Sequence, residues 1–185
     1  MKKAVFIDKD GTLIRDIAYN VDPDKIELEP YAETALRLLS QQDYVFIIIS
    51  NQAGIARGYF KEKDLQGVTN KVKSLLSPAG IKLDGFFYCP HHPEGVIPEY
   101  AVNCSCRKPE PGMILQAADI FDIDLSKSWM IGDILNDVEA GNRAGCRSLL
   151  INNGHETRWE LNEYRLPEYA ASDLLDAAEF IISHQ

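Results

Sequence analysis

At 185 residues, with 45% apolar and 25% charged residues, the chain has the length and composition of one soluble globular domain with a sizeable core. With 28 acidic against 19 basic residues the net charge is −9, the wrong sign for gripping nucleic acid or an anionic membrane, so neither is expected as a partner. The longest strongly apolar run, YVFIII at 44–49, is too short to span a bilayer, and the start MKKAVFIDKD turns acidic before a signal core develops, which points to the cytoplasm.

Residues 4–8 are the first predicted strand, and its end carries the first chemical signal. AVFIDKDGTLI runs from apolar residues into Asp8 and Asp10 with only Lys9 between them. Two such carboxylates repel, and desolvation at a buried strand end adds to the cost of ionising both, so a positive group is expected beside them. Taken alone, DKDG also suits a simple turn. A helix over 31–42 follows, then a strand over 44–50 that ends on Ser50 and Asn51, a helix over 61–77 and a strand over 84–89. The second half predicts helices over 110–121, 134–144 and 173–183 and strands over 128–132 and 147–151.

The strand segments are mostly continuous runs of Val, Ile, Phe and Tyr rather than alternating ones, as strands buried on both faces require. Strands alternating with helices, with no linker or repeat between them, predict an α/β fold. It is a doubly wound, Rossmann-like parallel sheet with helices on both faces, in one domain spanning 1–185. Ligands of such sheets sit outside the carboxyl ends of the strands. That rule gathers Asp8, Asp10, Ser50, Asn51, Asp133 and the segment from Cys89 to Lys108 at one end.

Within CPHHPEGVIPEYAVNCSCRKP, residues 89–109, a C-x-H pair and a C-x-C pair are separated by twelve residues. Three thiolates and an imidazole suit tetrahedral Zn²⁺, and four protein ligands make a closed, structural site. The expected ligands are Cys89, His91, Cys104 and Cys106, with His92 as the competing histidine. A disulfide is the weaker reading for a cytoplasmic chain. Cys146 lies apart and reads as a buried small apolar residue. The zinc loop, 89–107, ends on Arg107 and Lys108, so the metal is expected to fix those two cations.

Four segments, Asp8/Asp10, Ser50/Asn51, Arg107/Lys108 and GDILND with Asp133 and Asp137, resemble in content and order the four motifs of the haloacid dehalogenase superfamily of phosphohydrolases, over nearly the whole chain. The resemblance implies a phosphomonoester hydrolase. Asp8 would be the nucleophile that forms an aspartyl-phosphate, and Asp10 the general acid and base. Mg²⁺ would be held by the Asp8 carboxylate, the Asp10 backbone carbonyl and Asp133, while Ser50, Asn51 and Lys108 would hold the phosphate. Asp137, four residues beyond Asp133, has three readings: outer-shell metal ligand, partner of Lys108, or helix cap.

The spacers leave no room for a separate cap domain, so three loops, 15–29, 52–60 and 89–107, are expected to shape a small pocket for a phosphorylated sugar. Capless members with a zinc loop act on heptose bisphosphates or on histidinol phosphate, and SNQAGIARGYF with CRKPEPGM resembles the first group. Arg57 and Arg107 would then meet a second phosphate, unless Arg57 is an ordinary exposed arginine. The expected reaction is removal of the C7 phosphate of a heptose 1,7-bisphosphate by a monomeric enzyme. The alternatives are a histidinol-phosphate phosphatase and a zinc-stabilised binding module without activity. The stretch from residue 152 to 172 follows no motif tied to substrate.

Overall fold

Every strand pairing in the sheet is parallel, and its order in the computed structural model, which describes residues 1–184, is β3-β2-β1-β4-β5-β6. The strands are β1 (Lys3–Ile7), β2 (Tyr44–Asn51), β3 (Leu83–Cys89), β4 (Trp129–Gly132), β5 (Arg147–Ile151) and β6 (Tyr169–Ala171). The helices are α1 (Ala32–Ser40), α2 (Leu65–Leu76), α3 (Gly112–Phe121), α4 (Leu135–Ala144) and α5 (Leu174–Ser183). The five predicted strands lie within one residue of their expected ends. The helix predicted over 61–77 is shorter at both ends, flanked by 3₁₀ turns at Glu62–Asp64 and Ser77–Ala79. Strand β6 was not predicted, because three residues carry no readable period and it exists through its ladder to β5, Leu149 opposite Tyr169.

The continuous apolar runs are explained by burial on both faces. Val5 and Ile7 of β1 pack into a layer with α1, α2 and α5, whereas Ala4 and Phe6 pack into a second layer with α3 and α4. Each fully buried Ile or Phe contributes about 1.5–3 kcal/mol, so one short strand anchors both layers. Cys146 sits in the second layer as the small apolar residue expected, and burial pushes its thiol up to about 12.

The chain moves outward from β1 in one direction through β2 and β3, then returns to place β4 on the other side of β1. The crevice therefore opens where β1 and β4 lie side by side, and the backbone N–H of Asp8 donates to the carbonyl of Ile131 at 2.9 Å. Helix α4 starts directly after β4 and is capped by Asp137, whose carboxylate accepts from the Ile134 N–H at 3.2 Å. Gly145, in the left-handed region at φ +92°, closes the helix. No helix among the described residues is long and apolar enough to cross a membrane.

Candidate active site

Asp8 follows β1 directly, and beside it the structure places the positive group that its sequence context demands. The Lys108 ammonium pairs with Asp8 Oδ1, with Asp137 Oδ1 at 2.6 Å, and donates to the Ile49 carbonyl at 2.9 Å. All three ionisable groups are buried, Asp137 completely. Lys108 is held there by Asn51, whose side chain accepts from the Lys108 N–H at 3.0 Å and donates to the Lys108 carbonyl at 3.1 Å. Asp137 thus serves both as partner of Lys108 and as cap of α4.

One buried cation faces three buried carboxylates, since oxygens of Asp8, Asp133 and Asp137 lie within 4.8 Å of one another. Burial, with Asp137 and Asp10 adding to it against the pull of Lys108, raises Asp8 to about 7. Burial and the charge of Asp8 raise Asp133 to about 6, and burial raises Asp137 as well. For Lys108 burial opposes the charge, yet Asp137 and Asp8 together outweigh it and hold its pKa above the ordinary lysine value. An all-oxygen set with excess negative charge fits a hard divalent cation such as Mg²⁺.

Asp10 is partly exposed and lines a cavity of about 270 Å³. Its carboxylate pairs with Lys9 at 2.7 Å and accepts from Gln52 at 3.4 Å, and Gln52 also donates to the Ser50 hydroxyl at 2.7 Å. Two of the three loops expected to shape a pocket do so, through Asp16, Tyr19 and Asn20 on one side and Gln52, Ala53 and Gly54 on the other. Tyr19 and Tyr59 meet edge to face at 4.6 Å and tie the two loops together. The third, 89–107, does not line this cavity. It packs instead against the second loop, Val96 and Ile97 donating to the Ala56 carbonyl at 2.8 and 3.0 Å, and reaches the site through Lys108.

In that third loop the four expected ligands converge. Cys89, Cys104 and Cys106 have sulfur separations of 3.0–3.5 Å with no disulfide among them, and His91 Nδ1 lies 3.4 Å from Cys106 Sγ. In a zinc tetrahedron with 2.3 Å bonds the sulfurs are about 3.8 Å apart, so the cluster has the donors and nearly the size for Zn²⁺. His92, the competing ligand, turns elsewhere: its Nδ1 accepts from the Glu94 N–H at 3.1 Å and its Nε2 lies 3.4 Å from Arg57 Nη2. Glu62 ties the loop to β3 by accepting from Tyr100 at 2.6 Å and from Tyr88 of β3 at 2.5 Å, and these phenols hold its carboxyl below the usual range.

Arg57 is partly buried rather than freely solvated, and its Nε is enclosed without a hydrogen-bond partner. Arg107 donates to the His91 carbonyl at 3.3 Å, and burial first, with Arg57 contributing, lowers its pKa against the opposing charge of the Cys89, Cys104 and Cys106 thiols. Neither arginine pairs with a carboxylate among the described residues. Two guanidinium groups that feel each other's charge and pair with no carboxylate favour an anion beside them.

Three site residues escaped the sequence reading. Lys9 and Gln52 each directly adjoin an expected site residue, so proximity in sequence was an available signal. His155 was not legible: its Nδ1 lies 2.5 Å from Asp133 Oδ2, and the hydrogen bond to that carboxylate raises the pKa of the imidazole.

A family model described as HAD-hydrolase-like matches residues 105–177. The D-glycero-alpha-D-manno-heptose-1,7-bisphosphate 7-phosphatase of Photorhabdus laumondii is 40% identical over 84% of this chain and 85% of its own length. The D-glycero-beta-D-manno-heptose-1,7-bisphosphate 7-phosphatase of Pasteurella multocida is 42% identical over 82% of each. Among solved structures, the D,D-heptose 1,7-bisphosphate phosphatase of B. bronchiseptica, complexed with magnesium and phosphate, aligns with TM-score 0.80 and 30% identity over 99% of both chains. A HAD-like phosphatase from Mesorhizobium loti aligns with TM-score 0.83 and 32% identity over 97% of this chain and 87% of its own.

Proposed function

Because the chain belongs to the family of haloacid-dehalogenase-like hydrolases that includes the D-glycero-D-manno-heptose-1,7-bisphosphate 7-phosphatases, we propose that it hydrolyses the C7 phosphate of a heptose 1,7-bisphosphate. The observation that carries this reading is the buried set of Asp8, Asp133, Asp137 and Lys108 at the β1/β4 crevice, opening on a cavity bordered by Asp10.

Asp8 attacks phosphorus and forms a P–O bond as the bond from phosphorus to the C7 oxygen breaks, and Asp10 gives its proton to the departing alkoxide. Asp10 then takes a proton from the water that attacks the aspartyl-phosphate, which frees inorganic phosphate and restores the Asp8 carboxylate. Lys108 and the Ser50 hydroxyl hold phosphate oxygens, and Asn51 keeps Lys108 in place while bordering the same cavity. Asp8, Asp133 and the Asp10 backbone carbonyl would hold Mg²⁺, which offsets the repulsion between the attacking carboxylate and the phosphate dianion. Cys89, His91, Cys104 and Cys106 would hold Zn²⁺ as a structural ion. Arg57 and Arg107 would receive the second phosphate.

Phosphate release from a panel of sugar mono- and bisphosphates and histidinol phosphate, with Mg²⁺, tests this function. The heptose 1,7-bisphosphate is expected to give the highest kcat/KM. Histidinol phosphate as the better substrate would replace the reading, and no release from any member, generic aryl phosphates included, would favour the binding module. Asp10→Asn is expected to cost most with alkyl phosphates, whose alkoxide needs a proton, and less with an activated aryl phosphate; equal losses would remove Asp10 from the acid role. Arg57→Ala is expected to lower kcat/KM on the bisphosphate by roughly 10- to 100-fold, the worth of one charge-assisted contact, while sparing small monophosphates. Equal loss on both would move Arg57 out of the second-phosphate site.

A further inference from the structure

The segment after β5, whose sequence matched no motif, lies across the catalytic end of the sheet. Three side chains fasten it there. Asn153 donates to the Gly11 carbonyl at 2.8 Å and accepts from the His155 N–H at 3.2 Å, and Glu156 accepts from the Leu135 N–H at 2.7 Å, at the start of α4. Between these two anchors His155 Nδ1 meets Asp133 Oδ2 at 2.5 Å. Gly11 stands against the same pair: it adopts φ +78°, and a Cβ there would run into both Asp133 Oδ2 and the His155 ring. The turn after Asp10 has therefore kept clear the space in which the two side chains meet.

We propose that His155 is a positioning residue for the metal site, donating from Nδ1 to one oxygen of Asp133 so that the other is presented to Mg²⁺. The proposal rests on Asp133 as a magnesium ligand. A carboxylate at a strand end can rotate about its last bond, and a donor fixed to one oxygen removes that freedom before the ion arrives. Asn153 and Glu156 supply the fixed points, one on the loop that carries Asp10 and one on the helix that follows Asp133. The imidazole itself remains outside the set of oxygen donors.

Calorimetric titration with MgCl₂ alone, on the full chain with its zinc complement retained and no substrate present, tests the role. His155→Ala is expected to weaken Mg²⁺ binding on the order of 10- to 100-fold, the usual cost of removing the partner of a metal ligand. His155→Asn, whose amide nitrogen stands near the position of Nδ1, is expected to restore most of that loss. The magnesium concentration for half-maximal rate should rise in parallel in the Ala variant and recover with the affinity in the Asn variant. A His155→Ala protein that titrates like the unaltered one overturns the role. So does an Asn variant as weak as the Ala variant. Asp133→Asn separates the premise: if it binds Mg²⁺ as tightly as the unaltered chain, the assignment of Asp133 fails and the role of His155 falls with it.

Discussion

Asp8→Asn is expected to abolish turnover and leave the fold intact. The amide has the shape of the carboxylate but cannot attack phosphorus, and loss of a covalent nucleophile costs on the order of 10⁴-fold or more. Stability should move the other way. Asp8, Asp133 and Asp137 crowd their oxygens beside the buried Lys108, and burial with mutual repulsion already raises the pKa of all three. Removing one negative charge relieves that repulsion, and Lys108 keeps both Asp137 and the Ile49 carbonyl. The thermal midpoint without Mg²⁺ should therefore equal or exceed that of the unaltered chain, as expected where a site is built for reaction rather than for stability. Retention of more than about one per cent of activity, against the losses typical of nucleophile removal, would take Asp8 out of that role.

Cys106→Ala carries the second large effect, on stability and site together. Structural zinc contributes roughly 10–16 kcal/mol to small zinc-dependent folds, so losing one of four ligands is expected to cost at least several kcal/mol. Even about 3 kcal/mol corresponds to a fall of roughly 6–12 °C in thermal midpoint for a chain of this size. Besides the metal, the loop is held by the Glu62 contact with Tyr100 and the bonds of Val96 and Ile97 to Ala56. Affinity for inorganic phosphate should fall as well, because Arg107 and Lys108 follow Cys106 directly. Cys146→Ala is the control: it lies in the second core layer and should leave zinc content unchanged. Metal analysis finding no zinc in protein purified without chelator would refute the loop assignment.

The residues that the sequence brought to light are those whose signal is local. Asp8 and Asp10 stand at the end of an apolar run that can only be a buried strand, and C-x-H with C-x-C has few uses besides a metal. The helix over 134–144 was legible in the same way, from the acidic residues at its start and the glycine after its end. Where two neighbouring histidines offered themselves to the zinc loop, spacing could not separate them. Only the folded loop turns His91 toward the thiols and His92 toward Arg57.

Strand period and motif order, then, were enough to determine a parallel α/β sheet and the crevice at which its polar residues gather, because both are written in neighbouring positions of the chain. Pairings across the chain were decided by tertiary structure. Lys108 reaches Asp8 across 100 residues and Asn153 reaches Gly11 across 142, and each contact is a single event with no repeat along the chain to announce it. Strand β6 and His155 belong to the same class. Three residues become a strand only when β5 offers its edge, and an exposed loop histidine becomes a partner of Asp133 only when Asn153 and Glu156 have fixed the loop on either side of it.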